Sequence, residues 1–188
     1  PRLLAPGQAG ALTGHYGFFD SCLGGFALAA AVDGTLLAAC FVEAPETGPL
    51  EACLRRQGSG LAPFTRKEGA FEVPAAAFRA LAAGQEPPSW PVLALGGTPF
   101  QRAVWQALVA IPRGQTRTYG ELAAAIGCAG SARAVGRAVG ANPLALLLPC
   151  HRVVTKTAAH PGGYAWGLPR KRALLDAEQA PMHERLPA

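Results

Sequence analysis

Residues 118–142 read TYGELAAAIGCAGSARAVGRAVGAN and predict two short helices joined by a tight turn. Thr118 and Glu121 have the spacing of a capping box, which marks the start of the first helix. Ser131 is placed to cap the second helix, which we expect to end at Asn142. Two short helices joined in this way are typical of a helix-turn-helix.

The second of these helices has an unusual composition. Its only charged residues are Arg133 and Arg137, which are four residues apart and therefore lie on one face. Gly136 and Gly140 each lower helix stability by about 1 kcal/mol relative to alanine, so some contact should compensate. One explanation is close packing against another helix. The other, which the local charge favours, is close approach to nucleic acid, with arginine reaching phosphates or the base stack.

The elements around this motif differ between the two halves of the chain. The second half adds a helix that starts with a capping box at Thr98–Gln101 and a last helix that begins at Pro169. The first half contains alternating strands and one helix, with Asp33-Gly34 as a tight hairpin turn. These elements are strands over 15–20, 26–32 and 35–42 and a helix over 74–83. The proline-rich segment 85–91 is the best linker, so we predict domains at 1–88 and 89–188.

Composition and charge narrow the class of protein. Of the 188 residues, 50% are hydrophobic and 15% are charged, which permits a core and excludes wholesale disorder. Residues 1–88 have a net charge of −2 and residues 89–188 a net charge of +7, as expected if the second half faces a polyanion. A basic surface that serves only solubility explains the charge equally well. Apolar runs are too short to span a bilayer and no signal peptide is evident, which favours a cytoplasmic protein.

The five cysteines indicate a reducing environment and no metal site. Their number is odd, and no pair has C-x-x-C spacing. Cys150 differs from the others because it lies between Pro149 and His151, after a buried-looking apolar run. A thiol beside an imidazole is a candidate nucleophile, and Glu178 is the carboxylate best placed to orient the imidazole.

Two features leave this assignment open. Neighbouring side chains of an extended strand point to opposite faces, so the backbone must bend at Cys150 or a water must relay the proton to His151. Alternatively, Cys150 is a buried core cysteine with an incidental histidine neighbour.

The segment Pro149–Val153, PCHRV, resembles the active-site segment of the O6-alkylguanine-DNA alkyltransferases, also called methylated-DNA–protein-cysteine methyltransferases. The resemblance extends over residues 98–178 and is weak over 13–88. Further matching segments fall in the family's order: Thr98–Gln101, Val104-Trp105, Ile111–Gly114, Thr118-Tyr119, Glu121–Ala123, Arg133–Gly136, Asn142-Pro143, Gly163-Tyr164 and Gly167–Leu175.

The resemblance implies an α+β fold and a DNA repair reaction. The first domain would be a small ribonuclease H-like sheet with a helix, and the second a mostly helical domain of winged helix-turn-helix type. The protein would bind the minor groove, rotate an O6-alkylguanine out of the duplex and transfer its alkyl group irreversibly to Cys150. O4-alkylthymine is a second candidate substrate. Each molecule would react once.

The resemblance also implies roles for individual residues. His151, held by Glu178, would deprotonate Cys150 through water, Tyr119 would give a proton to the leaving base, and Asn142 would brace the turn before the active-site strand. Arg133 would fill the gap left by the rotated base. The remaining expected contacts are Tyr119, Gln101, Arg137 and Lys156 with DNA, and Tyr164, Trp166 and Ala165 in the substrate pocket. The expected partner is double-stranded DNA carrying alkylated guanine, bound without cofactor or metal by a monomer or by a cooperative array of monomers.

Two other functions are compatible with parts of the sequence. A Cys-His-Glu acyl-transfer enzyme or protease would use the same thiol, but it does not explain the basic helix-turn-helix, and no glycine motif for an oxyanion hole is evident. A DNA-binding regulator explains the charge but not the setting of Cys150. We therefore favour DNA dealkylation.

Overall fold

The computed structural model describes residues 2–4, 13–58, 64–156 and 161–179. The chain forms two compact units, one of Pro1–Gly97 with Pro143–Leu147 and one of Thr98–Asn142 with Leu148–Ala188. The division into domains at 1–88 and 89–188 stays a prediction. The mixed α+β class is confirmed, with helices and a sheet in one chain.

The first unit is built on a six-stranded mixed sheet. Its strands are β1 (Arg2–Leu4), β2 (Gly14–Ser21), β3 (Gly24–Ala31), β4 (Leu36–Phe41), β5 (Phe64–Arg66) and β6 (Val92–Ala94), in the order β1-β6-β4-β3-β2-β5. Strands β2, β3 and β4 form an antiparallel meander, whereas β6 pairs in parallel with β1 and β4. The predicted strands are confirmed, but β1, β5 and β6 are too short to give a periodic signal in the sequence.

The turn between β3 and β4 is longer than predicted. The amide of Ala31 donates to the carbonyl of Thr35 at 2.9 Å, which leaves the three residues Val32–Gly34 as the turn. Gly34 has φ of +83°, and Asp33 does not have a positive φ. A three-residue hairpin needs the left-handed conformation only at its last position, so glycine is required there alone.

Two helices belong to the first unit: α1 (Gly48–Arg56) and α2 (Glu72–Ala82). Helix α2 is the predicted helix at 74–83, and it ends before Gly84, which has φ of +66°. Helix α1 was not predicted from the sequence, although its buried residues Leu50, Cys53 and Leu54 have helical spacing.

The second unit contains the predicted helices and a minimal parallel strand pair. The helices are α3 (Pro99–Val109), α4 (Tyr119–Ala125), α5 (Ala132–Gly140) and α6 (Leu168–Ala177), and the strands are β7 (Arg117–Thr118) and β8 (Val153–Val154). The capping boxes that start α3 and α4 are both present. Ser131 does not cap α5, because its backbone is not extended and its side chain makes no capping hydrogen bond.

Helix α5 is fixed to α3 by a buried aromatic residue. Trp105 has no exposed surface, and its indole nitrogen donates to the carbonyl of Ala138 at 2.9 Å. Val135, Ala138 and Val139 bury the opposite side of α5 from its arginines. The position of α5 is therefore fixed by packing within this unit, although its glycines lower its intrinsic stability.

Candidate active site

Cys150 begins a single 3-10 turn, Cys150–Arg152, that follows Pro149 and leads into β8. The amide of Arg152 donates to the Pro149 carbonyl at 3.0 Å and closes this turn. The backbone therefore bends at Cys150, and a water relay between the thiol and His151 stays a prediction. The expectation that Cys150 lies in a strand is wrong, because extended structure starts only at Val153.

The Cys150 side chain lies in the wall of a cavity of about 300 Å³. The residue is only 3% exposed, so its sulfur is reached through the cavity rather than from open solvent. The other lining residues come from α4, α5 and the segment before α6: Tyr119, Gly136, Val139, Gly140, Gly163, Tyr164 and Ala165. Two further cavities, of about 260 and 350 Å³, are lined without cysteine or histidine.

The glycines of α5 form one wall of this cavity. A Cβ atom on Gly136 would lie 3.7 Å from the ring of Tyr119, and one on Gly140 would have no neighbour within 4 Å. Close helix packing therefore does not explain Gly140. Larger side chains at these two positions would occupy the space in front of the Cys150 thiol.

The imidazole of His151 is held by a buried carboxylate. His151 Nε2 lies 3.0 Å from Glu178 Oε1, and the two side chains are each 2% exposed. Arg152 donates to the same carboxylate through Nε at 2.9 Å and Nη2 at 2.8 Å, and through Nη1 to the Ile111 carbonyl at 2.7 Å. Sequence reasoning missed this role of Arg152, although its place beside His151 was a usable signal.

The charge on Glu178 fixes the protonation of the histidine. Burial opposes ionisation of the carboxyl group, but hydrogen bonds from His151 and Arg152 outweigh it and lower the pKa of Glu178 to about 2. An ionised carboxylate can only accept, so His151 carries its proton on Nε2. The lone pair of His151 is then on Nδ1, which is buried without a hydrogen-bond partner in the described part of the chain.

Both reacting groups are neutral in the resting protein. Burial raises the pKa of the Cys150 thiol to about 11, although hydrogen bonding from Asn142 and the charge of Lys171 lower it in part. Burial also lowers the pKa of His151, against the opposing effect of Glu178. At neutral pH the site therefore contains a thiol beside a neutral imidazole, which is a base that can accept the thiol proton.

Asn142 contacts the nucleophile itself. Its side-chain amide donates to Cys150 Sγ at 3.1 Å and to the Leu148 carbonyl at 2.9 Å, and the residue has no exposed surface. The resemblance predicted Asn142 as a catalytic-site residue that braces the turn after α5, but it did not predict a contact with sulfur. The contact with sulfur gives it a direct influence on thiolate stability.

Lys171 is a second residue that sequence reasoning missed. It lies in α6 with no exposed surface, and its Nζ donates to the carbonyls of Val153 at 2.6 Å and Gly163 at 3.3 Å. Burial lowers the pKa of this ammonium to about 8, while the nearby Cys150 has the opposite effect. No sequence signal separated Lys171 from the flanking Arg170 and Arg172.

Two tyrosines face the cavity from different elements. Burial and the neighbouring Cys150 raise the pKa of both Tyr119 and Tyr164, so each stays protonated at neutral pH. The hydroxyl of Tyr164 is buried and has no hydrogen-bond partner among the residues described. Trp166, which the sequence placed in the pocket, is not among the described lining residues and packs edge-on against Tyr164, with ring centroids 5.3 Å apart.

Of the residues predicted to contact DNA, Tyr119 lines the cavity, whereas Arg133, Arg137, Lys156 and Gln101 are not among its described lining residues. Arg133 and Arg137 are exposed on α5, and Lys156 is exposed after β8. Gln101 completes the capping box of α3, in which its side-chain oxygen accepts from the amide of Thr98 at 2.8 Å. Their contacts with DNA stay predictions.

Residues 2–4, 13–58, 64–156 and 161–179 contain no group of three or more His, Cys, Asp or Glu side chains placed to hold a metal ion. None of their helices has the length and apolar character needed to cross a membrane.

Comparison with known proteins places most of the second unit in one family. Residues 99–180 match the family model for the 6-O-methylguanine DNA methyltransferase, DNA binding domain. A methylated-DNA–protein-cysteine methyltransferase of Mycobacterium tuberculosis H37Rv is 53% identical over 88 residues, which are 47% of this chain and 53% of that protein. One from Salmonella typhimurium LT2 is 58% identical over 85 residues, which are 45% of this chain and 49% of that protein. The matched segment thus spans about half the length of these curated relatives.

Solved structures match over most of the chain. The structure of Mycobacterium tuberculosis OGT in complex with DNA is 38% identical with a TM-score of 0.72, and the match covers 89% of this chain and 95% of that one. The O6-methylguanine-DNA methyltransferase of Pyrococcus kodakaraensis KOD1 is 26% identical with a TM-score of 0.63, and the match covers 87% and 98%. The chain therefore belongs to the methylated-DNA–protein-cysteine methyltransferase family.

Proposed function

We propose that this protein repairs DNA by moving the alkyl group of O6-alkylguanine to the sulfur of Cys150. The observation that carries the proposal is a buried thiol in the wall of a ring-sized cavity, beside an imidazole oriented by a buried carboxylate. O4-alkylthymine is a second candidate substrate because it presents a similar alkyl–oxygen bond on a flat base.

The reaction balances without an added cofactor. The thiol proton of Cys150 passes through a water to His151 Nδ1, and the thiolate attacks the alkyl carbon in line with its bond to O6. The sulfur–carbon bond forms as the carbon–oxygen bond breaks. Tyr119 gives its hydroxyl proton to the departing guanine and recovers one from the imidazolium of His151. The thiol proton thus ends on guanine.

Single turnover follows from the product. Water does not displace a thiolate from a thioether at neutral pH, and none of the described residues that line the cavity carries a group that could activate the thioether. Each protein molecule would therefore repair one lesion.

Several features of the second unit support DNA binding. Helix α5 presents Arg133 and Arg137 on the side that also bears the cavity glycines, so one surface combines phosphate ligands with the opening. The alkyl carbon is unreachable inside a base stack, so the base must rotate into the cavity, with the protein in the minor groove. Arg133 would occupy the space that the base leaves. Arg137, Gln101 and Lys156 would contact the backbone.

We also propose that the sheet of the first unit is ribonuclease H-like and that α4 and α5 belong to a winged helix-turn-helix. The partner is double-stranded DNA with alkylated guanine, bound by a monomer or by a cooperative array. A cytoplasmic location is part of the same proposal, because the proposed substrate is DNA.

Intact-mass spectrometry tests the proposal. Incubation with a duplex containing O6-methylguanine should raise the protein mass by one CH₂ unit, on the peptide that contains Cys150, once per molecule. Cys150→Ala should prevent the transfer and leave binding to alkylated DNA nearly unchanged. Repeated turnover, or modification of another residue, would contradict the proposal.

A further inference from the structure

Lys171 is a buried cation whose partners leave its charge uncompensated. Its two acceptors are the carbonyls of Val153 and Gly163, which satisfy hydrogen bonds but carry no net charge. No carboxylate forms a salt bridge with Lys171 in the part of the chain that the structure describes. Burial of an ammonium without a counter-ion is unfavourable, because no opposite charge replaces the hydration that it loses.

The neighbouring charged groups do not compensate the ammonium while the Cys150 thiol is neutral. Glu178 is already engaged by Arg152 and His151, so it neutralises the guanidinium rather than Lys171. The titratable and charged groups around this part of the unit are Cys150, His151 and Arg152 from the 3-10 turn, Tyr119 from α4, Tyr164 and Arg170 before and within α6, and Glu178 at its end. With a neutral thiol this cluster has excess positive charge, and ionisation of Cys150 removes one unit of it.

The two carbonyl acceptors join the two sides of the reaction site. Val153 directly follows the turn that contains Cys150, and Gly163 is one of the residues that line the cavity. One ammonium therefore holds the nucleophile's turn to the wall against which a base would rest.

We propose that Lys171 is a positioning residue for the alkyl transfer, whose ammonium holds the Cys150 turn to the cavity wall and stabilises the Cys150 thiolate by its charge. This inference rests on the proposed function for its purpose, but thiolate stabilisation is a property of the free protein. It can therefore be measured without DNA.

The test is the pH dependence of Cys150 alkylation by iodoacetamide, followed by mass spectrometry of the Cys150 peptide so that other cysteines do not interfere. Lys171→Gln keeps an N–H donor for the two carbonyls and removes the charge. We expect alkylation of Cys150 at pH 7.5 to be about tenfold slower or more, because loss of the charge raises the thiol pKa by about one unit or more. Lys171→Arg should recover most of the rate. Arg172→Gln, which removes an exposed charge from the next position of α6, is the matched control and should react like the unmodified protein.

A measurement on the unmodified protein keeps the test informative if Lys171→Gln does not fold. For an isolated thiol with a pKa of about 11, the alkylation rate rises about tenfold per pH unit up to that value. If Lys171 stabilises the thiolate, the rise should flatten above pH 8, where the ammonium loses its proton. A constant tenfold rise to pH 10, or equal rates for Lys171→Gln and Arg172→Gln, would overturn the inference. Failure to modify Cys150 with O6-methylguanine DNA, with these pH effects intact, would instead contradict the proposed function.

Discussion

The side-chain amide of Asn142 donates a hydrogen bond to Cys150 Sγ over 3.1 Å. Because the same amide also donates to the Leu148 carbonyl, the donor is held in place before the thiol ionises. A fixed donor stabilises a developing negative charge without rearrangement.

Replacement of Asn142 should therefore lower the reactivity of Cys150, and not only the stability of the turn after α5. Asn142→Ala removes the donor, so the thiol pKa should rise and Cys150 alkylation at pH 7.5 should slow by about tenfold. Peptide-resolved iodoacetamide kinetics measure this effect. Asn142→Asp should slow the reaction further, since a carboxylate beside sulfur opposes thiolate formation. Equal rates for both variants and the parent protein would show that the contact does not matter.

Glu178→Gln should cost both stability and activity. The glutamine cannot neutralise Arg152, and an unpaired buried guanidinium destabilises a protein by about 3–5 kcal/mol. Urea unfolding monitored by circular dichroism measures the loss. The Glu178→Gln variant also lacks the carboxylate that fixes the tautomer of His151. Alkyl transfer to Cys150 should therefore be slower in the folded variant, measured without urea. Asp176→Asn, at an exposed position near the end of α6, is the control and should change neither property.

The low pKa of Glu178 predicts where acid weakens the protein. The folded-state pKa is about 2 and the ordinary value is 4.5, so ionised Glu178 contributes its full stability above about pH 4.5. That contribution should decline as pH falls from 4.5 towards 2. Urea midpoints measured at pH 6, 4.5 and 3 should therefore fall less steeply in Glu178→Gln than in the parent protein. Parallel curves would mean that the carboxyl titrates normally.

Arg133→Ala should separate base rotation from chemistry. If Arg133 fills the gap left in the duplex, its loss should slow repair of O6-methylguanine in double-stranded DNA far more than reaction with free O6-benzylguanine. Arg137→Ala, four residues along the same exposed face, should weaken DNA binding modestly and reduce its salt dependence by about one phosphate contact. If Arg133→Ala slowed the reaction with both substrates equally, Arg133 would not fill the gap left by the rotated base.

Gly140 offers a way to close the cavity without disturbing the core. A side chain at this position meets no atom within 4 Å at its Cβ, so Gly140→Leu should fold, yet it should fill the space before Cys150 and block transfer from O6-benzylguanine. Gly140→Ala should remain active and be more stable by about 0.5–1 kcal/mol, because alanine favours the helix. Thermal unfolding and intact mass measure the two effects. Full activity of the leucine variant would show that the substrate enters elsewhere.

Local signals made much of the second unit predictable from the sequence. The capping boxes at Thr98 and Thr118 fix two helix starts, and each depends only on residues within one turn. Cys150, His151 and Glu178 could be assigned to one site because their residue types limit the possible chemistry. The contacts of Asn142, Arg152 and Lys171 could not be derived, because each depends on which carbonyl or sulfur the tertiary fold brings near.

The same limit applies to α5 and to the short strands. Glycine at 136 and 140 indicates close approach of something, but the sequence does not show that the space is a cavity. Strands of three residues, such as β1 and β6, contain too few alternations to show a period, and long-range pairing determines them instead.

Glu178 stands directly after α6, at the position where helices fray most readily. A protease that trimmed the chain back to Ala177 would keep Cys150, the residues that line the cavity and both arginines of α5 in the chain. It would nevertheless remove the carboxylate that orients the imidazole and neutralises the guanidinium. If the protein repairs alkylated DNA as proposed, a folded molecule clipped in this way would bind lesions without removing them and would shield that damage from other repair systems.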